Sequence, residues 1–225
     1  MLRRPARPAV LVSLFLLAAV KAFAAPAPVP LPEDFPAHLV VRDFGVDLEP
    51  VCHPVYLDES VSTGYYLPAG PGIEVADDLH TTLTETQAIC GFDFGYFNPG
   101  AALVTATVTV YGNGEFDPGK GAPIAGPYVI AGLPPGANAF HFDVVGGIVQ
   151  PHVWLGVAFD DGATGLLSYG PPTLGSSHDV VWLTPPGVAT NYGGQPPADV
   201  FLGLYSSPST PVQPSTWGSL KATYR

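Results

Sequence analysis

The feature that most constrains the fold is an alternation of apolar and polar residues, interrupted by turn residues roughly every ten positions. In ALVTATVTVYG, residues 102–112, one face carries Val104, Val108 and Val110, while threonines occupy the other. Successive side chains of a strand point to opposite faces of a sheet. The stretch is therefore predicted to be a half-buried antiparallel strand.

The same alternation recurs along the chain. AICGFDFGYF (88–97) places Cys90 on the face that carries Phe92, Phe94 and Tyr96. Further strands are predicted at 139–145, 152–159, 73–79, 122–131, 163–168, 179–183 and 199–205. Turn sequences separate them, such as Asn98-Pro99-Gly100. The pattern predicts an all-β fold, a single antiparallel β-sandwich with jelly-roll connections, with a closed barrel as the alternative.

The chain is divided by composition into four parts. Residues 1–24 read as a signal peptide, with a basic start, an apolar stretch too short to span a membrane, and Ala22-Phe23-Ala24 at its end. Residues 25–37 are proline-rich and predict an extended tether. The sandwich domain is expected over 38–205, followed by a Ser/Thr/Pro-rich segment at 206–225. Export to the extracellular space or periplasm is predicted, with no membrane span in the mature chain.

The charge balance restricts the partners. Removal of the leader leaves four basic residues against 19 acidic ones, a net charge of −15. Nucleic acid is excluded as a partner, because its phosphates require Lys and Arg. The 47% hydrophobic content also argues against disorder.

The two cysteines, Cys52 and Cys90, are predicted to form a disulfide, as an even pair in an exported chain usually does. The alternatives are two free thiols or a catalytic cysteine. Cys52-His53 does not make a dyad, because adjacent strand residues face opposite ways.

Five short motifs together resemble a loose group of secreted bacterial β-sandwich proteins of the PEP-CTERM or choice-of-anchor type. They lie within residues 73–205 and read EVADDL, FDFGYF, TATVTVYGNG followed by DPG, VWLGVAF, and GPPTLGSSHDVVW. The resemblance implies a surface or matrix protein and brings no catalytic residues. The sequence to Arg225 shows no Pro-Glu-Pro sorting tail, so free secretion is expected.

One loop has partial calcium-binding spacing. In NGEFDPGKG, the residues Asn113, Glu115 and Asp117 repeat the alternate oxygen ligands that open a calcium loop. Pro118 stands where such a loop needs glycine, and no glutamate follows at the twelfth position. A hairpin connection is therefore the preferred interpretation. Calcium binding is the alternative, and no cofactor is required.

Other polar groups give weaker indications of chemistry. The acidic pairs Asp77-Asp78 and Asp160-Asp161 would suit glycoside hydrolysis only if they faced each other across a groove, and turn positions explain them better. GSSHDV does not make a Ser-His-Asp triad, because consecutive residues cannot adopt triad geometry. The six histidines show no metal-ligand spacing. A composite copper or zinc site built from distant strands is the alternative to scattered, solvated imidazoles.

The aromatic residues suggest a binding surface. A carbohydrate platform is predicted from aromatic side chains near turns or on outward faces, which stack on sugars: Tyr65, Tyr66, Tyr169, Trp182 and Tyr192. Core packing is the competing interpretation. The leading functional prediction is a secreted, non-enzymatic structural or adhesive protein that contacts a polysaccharide or a cell-surface or matrix component. A carbohydrate-binding module, with or without calcium, is the alternative, followed by a glycoside hydrolase.

Overall fold

The chain is organised as β-strands throughout the residues that the structure, a computed structural model, describes. These are residues 26–36, 39–43, 52–112, 120–144, 146–185, 187–194 and 196–207. They contain 15 strands and no helix. The strands are β1 (Val29–Pro30), β2 (Val41–Asp43), β3 (His53–Leu57), β4 (Ser62–Pro68), β5 (Glu74–His80), β6 (Gln87–Asn98), β7 (Val104–Gly112), β8 (Pro123–Leu133), β9 (Gly136–Asp143), β10 (Ile148–Val149), β11 (His152–Phe159), β12 (Gly165–Tyr169), β13 (Val181–Thr184), β14 (Val188–Thr190) and β15 (Leu202–Ser207).

The strands form two sheets. The nine-stranded sheet has the order β1-β4-β12-β6-β15-β3, with β9 and β10 also paired to β6 and β2 paired to β9. The six-stranded sheet has the order β14-β13-β5-β11-β7-β8. Pairing is antiparallel apart from the parallel pair β2–β9 within the described strands. The predicted β-sandwich is confirmed, whereas jelly-roll connectivity is not.

The core lies between the two sheets, where the alternating apolar residues meet. Phe92 and Phe94 of β6 join Val108 of β7 and Leu155 of β11 in one buried cluster. The ring of Phe94 stacks on Phe142 of β9 with centroids 5.0 Å apart. The faces of these strands that the sequence predicts to point inward are buried in the structure. The prediction succeeds because burial of one face of a strand requires period-two alternation.

The disulfide is confirmed. Cys52, which directly precedes β3, is bonded to Cys90 of β6, 38 positions along the chain. β3 and β6 lie on either side of β15 in the nine-stranded sheet. The bridge therefore ties an edge strand to the middle of its sheet.

The proline-rich segment lies on the sandwich over residues 26–36, which differs from the expectation of an extended tether. Val29 and Pro30 pair with β4. Leu31 and Phe35 pack against an aromatic cluster on the outer face of the nine-stranded sheet, which includes Tyr169. The apolar residues between the prolines explain the difference, since they cover a sheet face that would otherwise be exposed. Proline is tolerated here because β1 is a short edge strand.

Two predicted segments lie mostly beyond the described residues. The predicted leader, 1–24, falls outside them, and the predicted C-terminal segment, 206–225, is described only to residue 207. The part of the chain that the structure describes includes no helix with the length and apolarity needed to cross a membrane.

Removing the bridge should destabilise the domain. For a 38-residue separation, loop closure predicts that replacing Cys52 and Cys90 by Ala lowers the free energy of unfolding by up to about 4 kcal/mol. Urea unfolding measures the loss. Reductant should lower the wild-type midpoint and leave the double variant unchanged, and equal midpoints with and without reductant would contradict the bridge.

Candidate metal centre

Two histidines meet on the outer face of the six-stranded sheet. Along β5, Val75 and Leu79 enter the core, so Asp78 and His80 lie on the opposite face. β11 runs antiparallel to β5 and pairs His152 directly with His80. Cross-strand partners share a face of the sheet, and the two imidazole centroids are 4.1 Å apart.

A bulge brings a third histidine to the same place. Ser176 pairs with His80, and Val181 pairs with Asp77. Four residues on this side therefore lie opposite two on β5, and the extra residues bulge outward. Within the bulge, Asp179 has a φ of 49°, which is rare for residues other than glycine. His178, in the same bulge, contacts Asp78 of β5.

Asp78 links the histidines. Its Oδ2 lies 2.7 Å from Nδ1 of His178 and 3.4 Å from Nε2 of His80. One ligand atom from each of these three residues lies within 4.8 Å of the other two. Around a tetrahedral zinc ion with ligands at 2.0–2.1 Å, ligand atoms are about 3.3 Å apart. Small side-chain adjustments would therefore give the three residues metal-binding geometry.

The imidazole of His80 is held in the form that binds metals. Burial lowers its pKa below the ordinary value, and the neighbouring His152 and His178 lower it further, against the opposing charge of Asp78. His80 is consequently neutral near pH 7. Neutral imidazole is the ligand form, so no proton has to be displaced before a metal binds.

The centre has an excess of negative charge. Beside Asp78, the side chains of Asp58, Asp77 and Asp199 are also buried. Of the residues that the structure describes, the basic ones are Arg42 and Lys120. Arg42 is exposed on β2 of the other sheet, and Lys120 pairs with Glu74. Buried carboxylates require compensating positive charge or protons, and neither lysine nor arginine supplies it here.

A separate polar cluster, built around the single histidine His141, lies on the outer face of the nine-stranded sheet. His141 of β9 approaches Asp93 of β6, with Nδ1 2.5 Å from Oδ1. The Tyr205 hydroxyl donates to the other Asp93 oxygen at 2.6 Å, and Asp143 lies 3.5 Å from Nε2 of His141. The hydrogen bond to Asp93 and the charges of Asp93 and Asp143 raise the pKa of His141, against the opposing effect of burial. Within this cluster, His141 supplies positive charge to the Asp93 carboxylate.

The structure separates most of the residues predicted to bind sugar. Tyr66 and Tyr169 are buried in the cluster beneath the N-terminal segment. Trp182 packs edge-to-face on Trp154, and the Tyr192 hydroxyl donates to the Pro26 carbonyl. Tyr65 remains exposed. These five residues therefore do not form one continuous exposed platform.

Two predicted sites remain, the calcium loop and the acidic pair Asp160-Asp161. The loop with Asn113, Glu115 and Asp117 lies outside the described residues. Asp160 accepts a hydrogen bond from the Thr105 amide, and Asp161 accepts one from the Thr164 amide. Asp161 therefore stabilises its own turn, as the simpler interpretation predicts, whereas Asp160 bonds to the neighbouring strand β7.

In the sequence, the residues of the candidate metal centre are scattered histidines and one member of an acidic pair. Their spacing in sequence gives no metal motif, because they come from two strands and a bulge. The usable signal is that His80 directly follows one predicted strand, 73–79, and His152 begins another, 152–159. Pairing those ends required knowing that β5 and β11 are neighbours.

Comparison with known proteins gives no relative: no family model, curated protein or solved structure matches this chain.

Protonated His141 should stabilise the fold. Because the folded-state pKa is raised, this stabilisation is complete below the unfolded value of about 6.5 and is lost as pH rises through the folded value. His141→Gln should therefore lower the free energy of unfolding more at about pH 5.5 than at about pH 9. Urea unfolding at both pH values, with the exposed His53→Gln as control, measures this. Equal losses at the two pH values would contradict it.

Proposed function

We propose that this protein is an exported, non-enzymatic β-sandwich that binds one divalent transition-metal ion through Asp78, His80 and His178. The observation that carries the proposal is the buried Asp78 carboxylate, approached by two imidazoles on one oxygen. A metal ion would replace the weak His80 contact and would supply positive charge to a buried carboxylate.

The ligand set favours Zn²⁺ or Cu²⁺. Imidazole suits both ions, and one carboxylate with two or three histidines is a common donor set for zinc. Calcium and magnesium prefer sites made of oxygen alone. The proposed centre is therefore a transition-metal site.

His152 supports a closed, non-catalytic centre. Its ring lies against His80, and its Nδ1 is buried without a hydrogen-bond partner. A change of side-chain rotamer would allow it to act as a fourth ligand. Structural zinc sites have four protein ligands, whereas catalytic sites keep a position open for water or substrate.

The expected setting is outside the cytoplasm. The Cys52–Cys90 disulfide indicates an oxidising compartment. The predicted leader supports export, and the resemblance to secreted surface proteins supports a structural or adhesive role. In that role the metal would hold the 176–180 bulge on the six-stranded sheet.

Zinc titration of the purified protein tests the proposal. Calorimetry should give one Zn²⁺ per chain, and Zn²⁺ at 100-fold over its dissociation constant should raise the unfolding midpoint by about 5–10 °C. His178→Gln should weaken binding by more than about 100-fold, because a direct ligand matters more than an outer partner. The exposed His53→Gln removes an imidazole elsewhere and should leave the affinity unchanged.

Two results would overturn parts of this proposal. Equal zinc affinity in the wild type and His178→Gln would remove the centre altogether. Unchanged affinity in His152→Gln would show that His152 is not a ligand, and the closed four-ligand centre would then be wrong. Cu²⁺ titrated in parallel identifies which of the two ions is preferred.

A second candidate function is carbohydrate binding, supported by one observation. Tyr65 is 36% exposed and borders a surface cleft of about 270 Å³ that also includes Thr63, Gly194, Pro196 and Pro197. An aromatic face beside a hydroxyl is a usual sugar-binding arrangement.

Sedimentation with a panel of insoluble polysaccharides tests this alternative. If the cleft binds sugar, the wild type should sediment with at least one of them. Tyr65→Ala should lose about 1 kcal/mol or more of binding, several-fold in affinity, through lost stacking. Trp182→Phe is the aromatic control. Retained binding in Tyr65→Ala, or no binding by the wild type, would reject the cleft.

A further inference from the structure

The cleft beside Tyr65 and the proposed metal centre are joined by one short segment of the chain. This segment, residues 196–200, is called the cleft wall below. Its two prolines line the cleft together with Thr63 and Tyr65 of β4. Its last three residues are buried in the sandwich. The cleft wall therefore has one end at the cleft and the other inside the domain.

The buried end of the cleft wall is bonded, residue by residue, to the neighbourhood of the metal centre. Three consecutive bonds do this: the Ala198 amide donates to Asp179 Oδ1, Ser177 Oγ donates to Asp199 Oδ1 at 2.7 Å, and the Val200 amide donates to Asp77 Oδ2 at 3.1 Å. Each partner outside the wall directly adjoins a proposed metal ligand in sequence, either Asp78 or His178. Movement of the backbone that carries these ligands therefore acts on the cleft wall.

Asp179 connects the two places most directly. It follows His178 in the bulge, with a φ of 49° that aspartate, asparagine and glycine tolerate best. Besides bonding to Ala198, its carboxylate accepts a hydrogen bond from the Asn191 side chain at 3.4 Å. The same carboxylate lies 3.7 Å from the position that a Cβ on Gly194 would take, and Gly194 also lines the cleft. One side chain beside a metal ligand thus contacts both segments on this side of the cleft.

The cleft wall also reaches the other side of the cleft. Ser168 of β12 donates through its Oγ to the Pro197 carbonyl at 3.0 Å. Thr63 of β4 donates in turn to Ser168 Oγ at 2.9 Å. A continuous series of bonds therefore runs from the bulge at His178, through the cleft wall, to a residue that lines the cleft beside Tyr65.

The 176–180 bulge is the element through which a metal would act. It carries His178, whose side chain is 45% exposed and whose Nδ1 lies 2.7 Å from the Asp78 carboxylate of β5. A metal ion held by both residues would join the bulge to β5, so the bulge could open only by releasing a ligand. An ion that binds only the closed form makes such opening rarer. The cleft wall bonded to the bulge would then open less often as well.

We propose that metal binding at Asp78, His80 and His178 fixes the cleft wall, so that the metal regulates the cleft beside Tyr65. This inference rests on the proposed metal-binding function and gives that centre a regulatory role. The ligand class that suits the cleft is a sugar, because an aromatic face lies beside a hydroxyl. The coupling is reciprocal, so a sugar held against the cleft wall strengthens metal binding by the same factor.

Hydrogen exchange of the Ala198 and Val200 amides, followed by NMR with and without Zn²⁺, tests the coupling. Zinc at 100-fold over its dissociation constant should slow exchange at both amides by about 5-fold to 100-fold, between the usual coupling and the full linkage factor. The control is the Leu31 amide, which bonds to the Gly64 carbonyl on the outer face of the other sheet. Its exchange should stay unchanged.

Two substitutions of one residue separate coupling from general stability. Asp179→Gly keeps the backbone conformation accessible and removes the carboxylate, so it should lose most of the zinc-dependent slowing at Ala198. Asp179→Asn keeps an acceptor oxygen at the same backbone conformation and should retain that slowing. The measured quantity is the ratio of exchange rates with and without zinc, because a general loosening of the variant affects both rates. Calorimetry establishes that each variant still binds zinc.

Sedimentation with a polysaccharide that binds the wild type gives a second measurement. Removing zinc should lower the bound fraction several-fold, and Asp179→Gly should bind equally with and without zinc. Zinc-independent sedimentation of the wild type would contradict the proposed regulation. A wild type that sediments with no polysaccharide would reject the sugar as ligand, and the exchange measurement would still decide the coupling.

The outcomes distinguish this inference from the function on which it rests. Absence of zinc binding by calorimetry would reject the metal centre, and the regulation with it. Zinc binding with unchanged exchange at Ala198 and Val200 would reject the regulation alone. Equal slowing at Leu31 would mean that zinc stabilises the whole domain, which also overturns the proposal. Slowing that persists in Asp179→Gly would overturn the route through Asp179.

Discussion

The face-to-face packing of the two sheets is the interaction on which the rest of the structure depends. The aromatic residues of β6 and β9, such as Phe94 and Phe142 with centroids 5.0 Å apart, fill the space against the aliphatic face of β5, β7 and β11. Each such aromatic pair adds about 0.5–1.5 kcal/mol beyond its buried area. Because a one-residue slip would expose this face, the packing sets the register of the strands that contribute to it. The register in turn places His152 opposite His80.

Buried negative charge is the second constraint. The protein concentrates carboxylates where the six-stranded sheet meets the 176–180 bulge and the segment before β15, and the described chain brings no lysine or arginine to them. The buried carboxylate of Asp93, by contrast, has partners within the protein, because His141 and Tyr205 both bond to it.

Much of the fold was predictable, and particular elements show why. β7 and β11 alternate cleanly, so their inward residues could be read directly. β3 and β4 were not predicted, because HPVYL and STGYYLP mix proline, glycine and tyrosine without a clear period. The prolines of the N-terminal segment predict an extended tether, whereas the half-buried Leu31 and Phe35 pack against the aromatic cluster.

By itself, the sequence determined the all-β class, the buried faces of the main strands and the cysteine pair, because these follow from local alternation and from residue counts. The tertiary structure decided which strands are neighbours, and with them the residues of the proposed metal centre. Asp78, His80, His152 and His178 meet through antiparallel pairing and a bulge, which bring together residues about 70 to 100 positions apart. No local pattern encodes such contacts, since they arise only when two sheets bury a common core.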